Sequence, residues 1–365
     1  MKFITVSALC LSVLLIVACA YQPREQWVSD QYRDGVFHNL EPYEQDFGVT
    51  KTLTIIQRFF FTEHADTEPF GLIPVDEINV DAFMAGDEDR LVRLGHSTVL
   101  MKLNNQYWLT DPIFSQRASP LQWVGPERFH QPPIRLEELP DLTGVLISHD
   151  HYDHLDEGTI RRLHPKVSHF YVPLGVAKYL RQWGVPDDKI SEFDWWQQAT
   201  VGDTAIVSTP SNHFSGRSLF NRNGTLWTSW VIDSGKRKIY FSGDSGYFAG
   251  FKEIGEKFGP FDVTIMENGA YNPDWRGSHL FPDETIAAHR DLNGRALLPV
   301  HNSTFKLAFH PWYDPLQATS KMADQTGVDL KTPKIGEVWT LADQTNFSRW
   351  WQVLMPGEKS GTDNN

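Results

Sequence analysis

Residues 148–154 read Ser-His-Asp-His-Tyr-Asp-His and place four potential metal ligands close together in the chain. His149 and His151 are spaced to bind one ion, while Asp153 and His154 extend towards a second. A set of nitrogen and oxygen ligands without a thiolate suits Zn²⁺, and Mn²⁺ or iron less well. A single histidine on a loop is usually a solvated side chain, but this density of ligand types favours a metal site.

The same relation between strand and ligand recurs further along the chain. The apolar run 144–148 predicts a buried strand before the motif, and Asp156 behind it marks a helix start. His213, Asp244 and His301 each follow another apolar run, at 205–209, 238–242 and 296–300. Each could singly be a turn or capping residue. Because α/β folds gather their sites at the carboxyl ends of strands, the repetition predicts one shared site.

Asp111 also stands where a predicted strand, 107–110, meets a loop. Its carboxylate could orient a ligand histidine from behind, or it could simply begin a turn. The spacing of residues leaves both interpretations open.

Strands and helices alternate after the motif, which predicts an α/β fold. We divide the chain into a signal segment at 1–18, a tether and packing segment at 19–89, a main domain at 90–355 that carries the predicted metal site, and a disordered tail at 356–365. The polar composition of 20–48 is typical of a tether, and that of the last ten residues is typical of a disordered terminus.

The amino terminus has the pattern of an exported lipoprotein. Lys2 is followed by an apolar run of signal-peptide length, 3–17, which ends in a sequence resembling the bacterial lipobox at Cys19. Cys10 and Cys19 are the two cysteines, so the mature domain would contain no free thiol and no disulfide. Ala20 after the anchor predicts the outer membrane, facing the periplasm. A plain secretory signal or an uncleaved anchor is the alternative.

The formal net charge of -13 argues against nucleic acid as a partner, since counterion release requires a basic surface. It also argues against electrostatic docking on an anionic membrane. Membrane attachment is therefore expected only through a lipidated Cys19. The oligomeric state is left open.

The order of ligand types resembles the metallo-β-lactamase fold superfamily. The resemblance implies a four-layered αββα sandwich and two zinc ions. No mature cysteine could act as a ligand, which favours the dinuclear hydrolase branches over the antibiotic-hydrolysing enzymes. Carried onto this chain, the resemblance assigns one zinc to His149, His151 and His213, the other to Asp153, His154 and His301, and a bridging position to Asp244.

Shorter motifs are similar to the family of N-acyl-phosphatidylethanolamine-hydrolysing phospholipase D. They lie between residues 90 and 316, at 94–98, 109–115, 117–120, 125–129, 195–196, 227–230 and 243–247. The chain departs from the family pattern at 266–271, in the short segment 275–279, and at Asn302-Ser303 after the last ligand. These departures lie on the expected substrate side.

The resemblance implies hydrolysis of a phosphodiester, in a phospholipid or another small substrate, by a hydroxide that bridges the metals. Asp153 and His279 are the candidate catalytic residues. His279 matches a family position facing the substrate and could protonate the leaving group, or could be a capping or surface histidine. Alternatives are a zinc-dependent lactone or carboxylic-ester hydrolase and, more remotely, a non-catalytic envelope lipoprotein.

Overall fold

The computed structural model describes residues 27–41, 51, 54–55, 57–58, 62, 64–218 and 221–356. The predicted signal segment, Cys19 and residues 357–365 of the predicted tail lie outside the described residues. A small hairpin of β1 (Tyr32–Arg33) and β2 (Val36–Phe37) precedes the main body.

The first sheet of the main body has seven strands in the order β16-β3-β4-β5-β6-β7-β8. The half from β16 to β5 is antiparallel, and the half from β5 to β8 is parallel. Its strands are β3 (Arg90–Gly95), β4 (Thr98–Leu103), β5 (Gln106–Thr110), β6 (Gly144–Leu146), β7 (Phe170–Pro173), β8 (Ile190–Phe193) and β16 (Val338–Thr340).

The second sheet repeats this plan, with seven strands in the order β15-β14-β13-β12-β11-β10-β9. The half from β9 to β12 is antiparallel and the half from β12 to β15 is parallel. Its strands are β9 (Gln198–Val201), β10 (Thr204–Thr209), β11 (Ser229–Asp233), β12 (Lys238–Phe241), β13 (Phe261–Glu267), β14 (Gly294–Val300) and β15 (Asp329–Leu330).

Helices cover the outer face of each sheet. On the first sheet lie α1 (Val80–Met84), α2 (Glu157–Leu163) and α3 (Ala177–Gln182), and on the second lie α4 (Gly250–Phe258), α5 (Pro282–Asp291) and α6 (Asp314–Thr326). Short 3₁₀ helices occur at Leu136–Glu138, His164–Lys166, Asp187–Lys189, Pro273–Trp275 and Trp350–Leu354. Among the described residues, no helix combines the length and apolar character needed to cross a membrane.

Three apolar clusters separate the layers. The middle cluster joins the inner faces of the two sheets, with Trp108 of β5 and Trp230 of β11 among its fully buried members. The outer clusters join each sheet to its helices, for example through Ile160 of α2 and Phe251 of α4. This is a four-layered αββα sandwich, so the predicted α/β fold class is confirmed. Sheets packed in this way keep strands buried on both faces, which explains their continuous apolar runs.

Strand ends supply the candidate site. The histidine motif begins just after β6, and Asp156 caps α2 by accepting a hydrogen bond from Gly158 N at 3.0 Å. Asp111, Asp244 and His301 follow β5, β12 and β14, as the apolar runs predicted.

Trp230 ties the two sheets together next to the motif. Its indole is fully buried, and its Nε1 donates to the Ile147 carbonyl at 3.0 Å. We expect Trp230→Phe to lower the free energy of unfolding by about 1–3 kcal/mol, because the buried carbonyl loses its donor. Urea unfolding with a chelator present would measure this change. The exposed Trp123 provides the control, since Trp123→Phe should stay within about 0.5 kcal/mol. Equal effects of the two substitutions would contradict the role of this bond.

Candidate metal centre

Three histidine side chains form the first ligand group. His149 and His151 come from the loop after β6, and His213 comes from the segment after β10. Nδ1 of His151 lies 2.8 Å from Nε2 of His149 and 3.3 Å from Nε2 of His213. The three ring nitrogens therefore converge on one point, as the spacing of the first two histidines suggested.

The second group contains Asp153, His154 and His301. Oδ2 of Asp153 lies 3.4 Å from Nε2 of His154 and 3.2 Å from Nε2 of His301, and the two ring nitrogens are 3.1 Å apart. His151 and Asp153 are two positions apart in the motif loop, yet they belong to different ligand groups.

Asp244 stands between the two groups. Its Oδ2 lies 3.2 Å from His154 Nε2 and 3.1 Å from His301 Nε2. The same oxygen lies 3.7 Å from His213 Nε2 and 3.9 Å from His149 Nε2. The carboxylate faces both groups, which is the position of a bridging ligand.

Hydrogen bonds behind the rings orient them. Asp111 accepts from His154 Nδ1 at 2.7 Å, and from both Ser148 N at 2.7 Å and Ser148 Oγ at 2.5 Å. Ser148 Oγ in turn lies 2.9 Å from His149 Nδ1, and His213 Nδ1 donates to the Ser278 carbonyl at 2.8 Å. The outward nitrogens carry the protons, so the inward nitrogens of these rings present lone pairs. Of the two interpretations of Asp111, the structure matches the orienting one.

Asn39 adds support from the N-terminal segment. Its side chain brackets the backbone of His213, because its Nδ2 donates to the carbonyl at 2.8 Å and its Oδ1 accepts from the N–H at 3.1 Å. The indole of Trp227 donates to the same Oδ1 at 2.8 Å.

The residues fit divalent cations. Five imidazoles and two carboxylates of the predicted set are gathered in the interior, and Oδ1 of Asp244 is buried without a hydrogen-bond partner among the described residues. Lone pairs facing one another in a buried space are unfavourable unless a cation lies between them. Metal-binding histidines characteristically donate their second ring N–H to a partner, as His149, His154 and His213 do here.

The pKa values inside the cluster are shifted because carboxylates and imidazoles lie close together in a buried space. Burial opposes the charged form of Asp244, but the imidazoles of His154 and His301 hold the pKa of its carboxyl well below its usual range. Burial likewise opposes protonation of His301, yet the Asp244 and Asp153 carboxylates raise its pKa to about 10. Without a metal ion the cluster would have to retain protons, so metal binding must release them.

His279 lies inside the site and does not cap a helix. Its Nδ1 is 3.2 Å from Glu267 Oε1 and 3.9 Å from Asp244 Oδ2, and its side chain is 12% exposed. Glu267 ends β13, is fully buried, and also accepts from Leu280 N at 2.8 Å. Burial raises the pKa of the Glu267 carboxyl.

Sequence reasoning missed Glu267 and the role of His96. Glu267 falls within the stretch that departs from the family, and its place at a strand end was the signal that could have found it. His96 lies in the turn between β3 and β4, and its Nε2 is 3.0 Å from Asp153 Oδ2. It appeared only as part of a family motif, because a turn distant in sequence gives no sign that it reaches the ligands.

Comparison with known proteins agrees with this geometry. The model of the "Beta-lactamase superfamily domain" family matches residues 107–302, which contain all seven predicted metal ligands. The chain belongs to this superfamily. An N-acyl-phosphatidylethanolamine-hydrolyzing phospholipase D of Caenorhabditis elegans is 35% identical over 291 residues, which cover 74% of this chain and 81% of the relative. The chain therefore also belongs to the family of proteins like N-acyl-phosphatidylethanolamine-hydrolysing phospholipase D, as its motifs indicated. It is a metal-dependent hydrolase.

Other relatives extend the picture. An uncharacterized protein of Mycobacterium tuberculosis is 40% identical over 331 residues, covering 89% of this chain and 88% of the relative. The outer membrane protein RomA of Klebsiella pneumoniae is 55% identical over 92 residues, covering 25% of this chain and 69% of RomA. The crystal structure of CmlA, a diiron β-hydroxylase of Streptomyces venezuelae, superposes with a TM-score of 0.52 at 21% identity, covering 69% of this chain and 54% of CmlA. At this low sequence identity, the likeness to CmlA shows a shared fold alone.

The contacts of Asp111 generate a test of the metal centre. Asp111→Asn keeps the shape but replaces one acceptor oxygen by a donor, which leaves His154 Nδ1–H or Ser148 without a partner. We expect metal affinity to fall roughly 10- to 100-fold, measured by competition with a chromophoric chelator. Asp262 is the control, because it is mostly buried and lies near the start of β13, whereas Glu267 at the other end of this strand lies beside the site. Asp262→Asn should leave metal affinity unchanged. An unaltered affinity in Asp111→Asn would contradict an orienting role for Asp111.

Proposed function

We propose that this protein is a dinuclear zinc hydrolase that cleaves a phosphodiester bond in a phospholipid such as N-acyl-phosphatidylethanolamine. The observation that carries the proposal is the position of Asp244 Oδ2 between two ligand groups. A shared carboxylate between two sets of three ligands suits a pair of ions better than a single one. The relation to a phospholipase D of C. elegans supports the choice of substrate class.

Zinc is the proposed metal because the seven ligands are imidazole nitrogens and carboxylate oxygens. Mn²⁺ and iron remain weaker candidates, and the fold itself also accommodates a diiron site in CmlA. Divalent ions bound here would supply activation of water and compensation of the charge that develops on the phosphate.

The chain's own residues would divide the remaining work. His149, His151 and His213 would hold one ion, Asp153, His154 and His301 the other, and Asp244 both. His279 would hold a proton for the leaving oxygen. Its Nδ1 faces Glu267, while its Nε2 makes no hydrogen bond within the described part of the chain. This arrangement leaves Nε2 available to a substrate.

Two observations favour a second candidate, a lactone or carboxylic-ester hydrolase with the same centre. Glu267 places an additional buried carboxylate beside His279, and Asn302 follows the last ligand and binds the buried guanidinium of Arg93. Both residues lie in stretches that depart from the phospholipase family, so the bond that is cleaved can differ while the metals stay the same.

We further propose a place in the bacterial cell envelope, with attachment through a lipidated Cys19 in the outer membrane and the domain facing the periplasm. The lipobox-like sequence and the short stretch shared with the outer membrane protein RomA support this location. A lipid anchor would keep the site near a phospholipid substrate at high effective concentration. The negative net charge argues against nucleic acid as an alternative substrate.

Metal content and cleavage should be measured together on the purified protein. We expect about two zinc ions per chain and release of product from N-acyl-phosphatidylethanolamine, with both the metal at the first group and the cleavage lost in His151→Ala. Full metal with cleavage of lactones or esters alone would move the assignment to the second candidate. A folded protein that binds no metal would overturn both and leave the remote alternative, an envelope lipoprotein without catalysis.

His279→Gln separates proton transfer from metal binding. We expect kcat to fall roughly 10²- to 10⁴-fold, because the leaving oxygen loses its proton donor, while the metal content remains that of the unchanged protein. The exposed Trp123 again offers a control, and Trp123→Phe should alter neither quantity. A leaving group that needs no protonation, such as p-nitrophenolate, should reduce the defect. An undiminished kcat on phospholipid would remove His279 from the catalytic residues.

A further inference from the structure

His96 lies in a strained turn whose backbone is hydrogen-bonded to His301 and Thr304. It lies between β3 and β4 with φ of 47°, in the left-handed region that non-glycine residues seldom adopt. Its backbone N–H donates to Thr304 Oγ1 at 2.7 Å, and its carbonyl accepts from His301 N at 3.2 Å. Backbone strain that persists at such a point commonly serves a function.

The imidazole of His96 is fully buried and directed at a ligand. Its Nε2 lies 3.0 Å from Asp153 Oδ2, the same oxygen that faces His301 Nε2 at 3.2 Å. The ring lies against that of His301, with 4.0 Å between ring centroids, and meets the edge of Phe305 at 5.3 Å. His96 is therefore close enough to the second ligand group to act either as an additional ligand or as a hydrogen-bond donor to Asp153.

The partners of the outward nitrogen and the number of ligands already present bear on these two roles. Nδ1 of His96 is buried and has no hydrogen-bond partner among the described residues. Nδ1 of His301 also lacks a partner in that part of the chain, so this feature alone does not exclude a ligand. The second ion, however, already has four candidate ligands, the number that zinc usually takes: Asp153, His154, His301 and Asp244. With the proton on Nε2, the ring makes its one hydrogen bond to Asp153, and Nδ1 is left as a bare acceptor.

We propose that His96 is a positioning residue, which donates its Nε2–H to Asp153 Oδ2 and thereby orients this carboxylate towards the second ion. The inference rests on the proposed dinuclear centre. Packing constrains the orientation of Asp153 less than that of the other ligands, because its side chain is 15% exposed while those of His154, His301 and Asp244 are almost completely buried. A hydrogen bond therefore contributes more to its orientation.

His96→Phe removes the donor and keeps a planar ring. We expect the second ion to bind roughly 10- to 100-fold more weakly, and the first ion to bind as before, in a zinc titration against chelators of graded affinity. His96→Gln, whose amide can donate to Asp153, should recover a large part of the lost affinity.

His130 provides a matched control. Its ring is also buried and contacts the same Thr304 Oγ1, at 3.0 Å, but it has no hydrogen bond to Asp153. His130→Phe should leave both affinities unchanged. Thermal unfolding of the metal-free proteins would show whether each variant folds, independently of the ions.

A second measurement reads the tautomer directly. In the zinc-loaded protein labelled with [¹⁵N]histidine, His96 should show a protonated Nε2 and a bare, metal-free Nδ1. A spectrum showing Nε2 of His96 bound to zinc would overturn the inference, as would equal affinities for the second ion in His96→Phe and the unchanged protein. If the unchanged protein binds fewer than two ions, the dinuclear proposal itself falls, and this inference falls with it.

Discussion

The structure depends on keeping a dense set of polar ligands in the interior of the protein. Five imidazoles and the carboxylates of Asp153 and Asp244 converge in one cluster, and most of these side chains have almost no contact with solvent. Burial of such groups is unfavourable unless each is paired with an opposite charge or a hydrogen bond. The centre meets this condition in two ways: hydrogen bonds hold the outward nitrogens of His149, His154 and His213, and divalent cations can satisfy the inward lone pairs.

The αββα sandwich provides the geometry for this arrangement. Each sheet has an antiparallel half and a parallel half. Among the strands that precede ligands, β6 and β12 lie inside their sheets, while β10 and β14 lie next to the edge strands β9 and β15. Packing the sheets face to face brings the ends of β6, β12 and β14 together at one edge. Trp230 contributes both to the apolar core between the sheets and to the hydrogen bonding behind the motif. Core and site are thus parts of the same packing.

A second layer of residues lies behind the ligands and holds them in place. Asp111 fixes the orientation of His154 and of Ser148, while His96 contacts Asp153 and Glu267 contacts His279. Arg93 and Asn302 form a further buried pair beside the last ligand. Changes in this outer layer can alter substrate choice and proton transfer without exchanging a metal ligand, because they act on the orientation and basicity of the ligands.

The sequence alone predicted the fold class, the family and a set of seven candidate ligands, because these depend on local patterns: apolar runs of strand length, and histidine or aspartate just after them. The grouping of these ligands was implied by the family resemblance and not by any local pattern, since the distances between them depend on the packing of two sheets. Only the tertiary structure showed that His279 lies within the centre, and that His96 and Glu267 reach it. Those two contacts join residues separated by 57 and 12 positions. No local pattern encodes such distances, because they arise only when the strands of each sheet are paired and stacked.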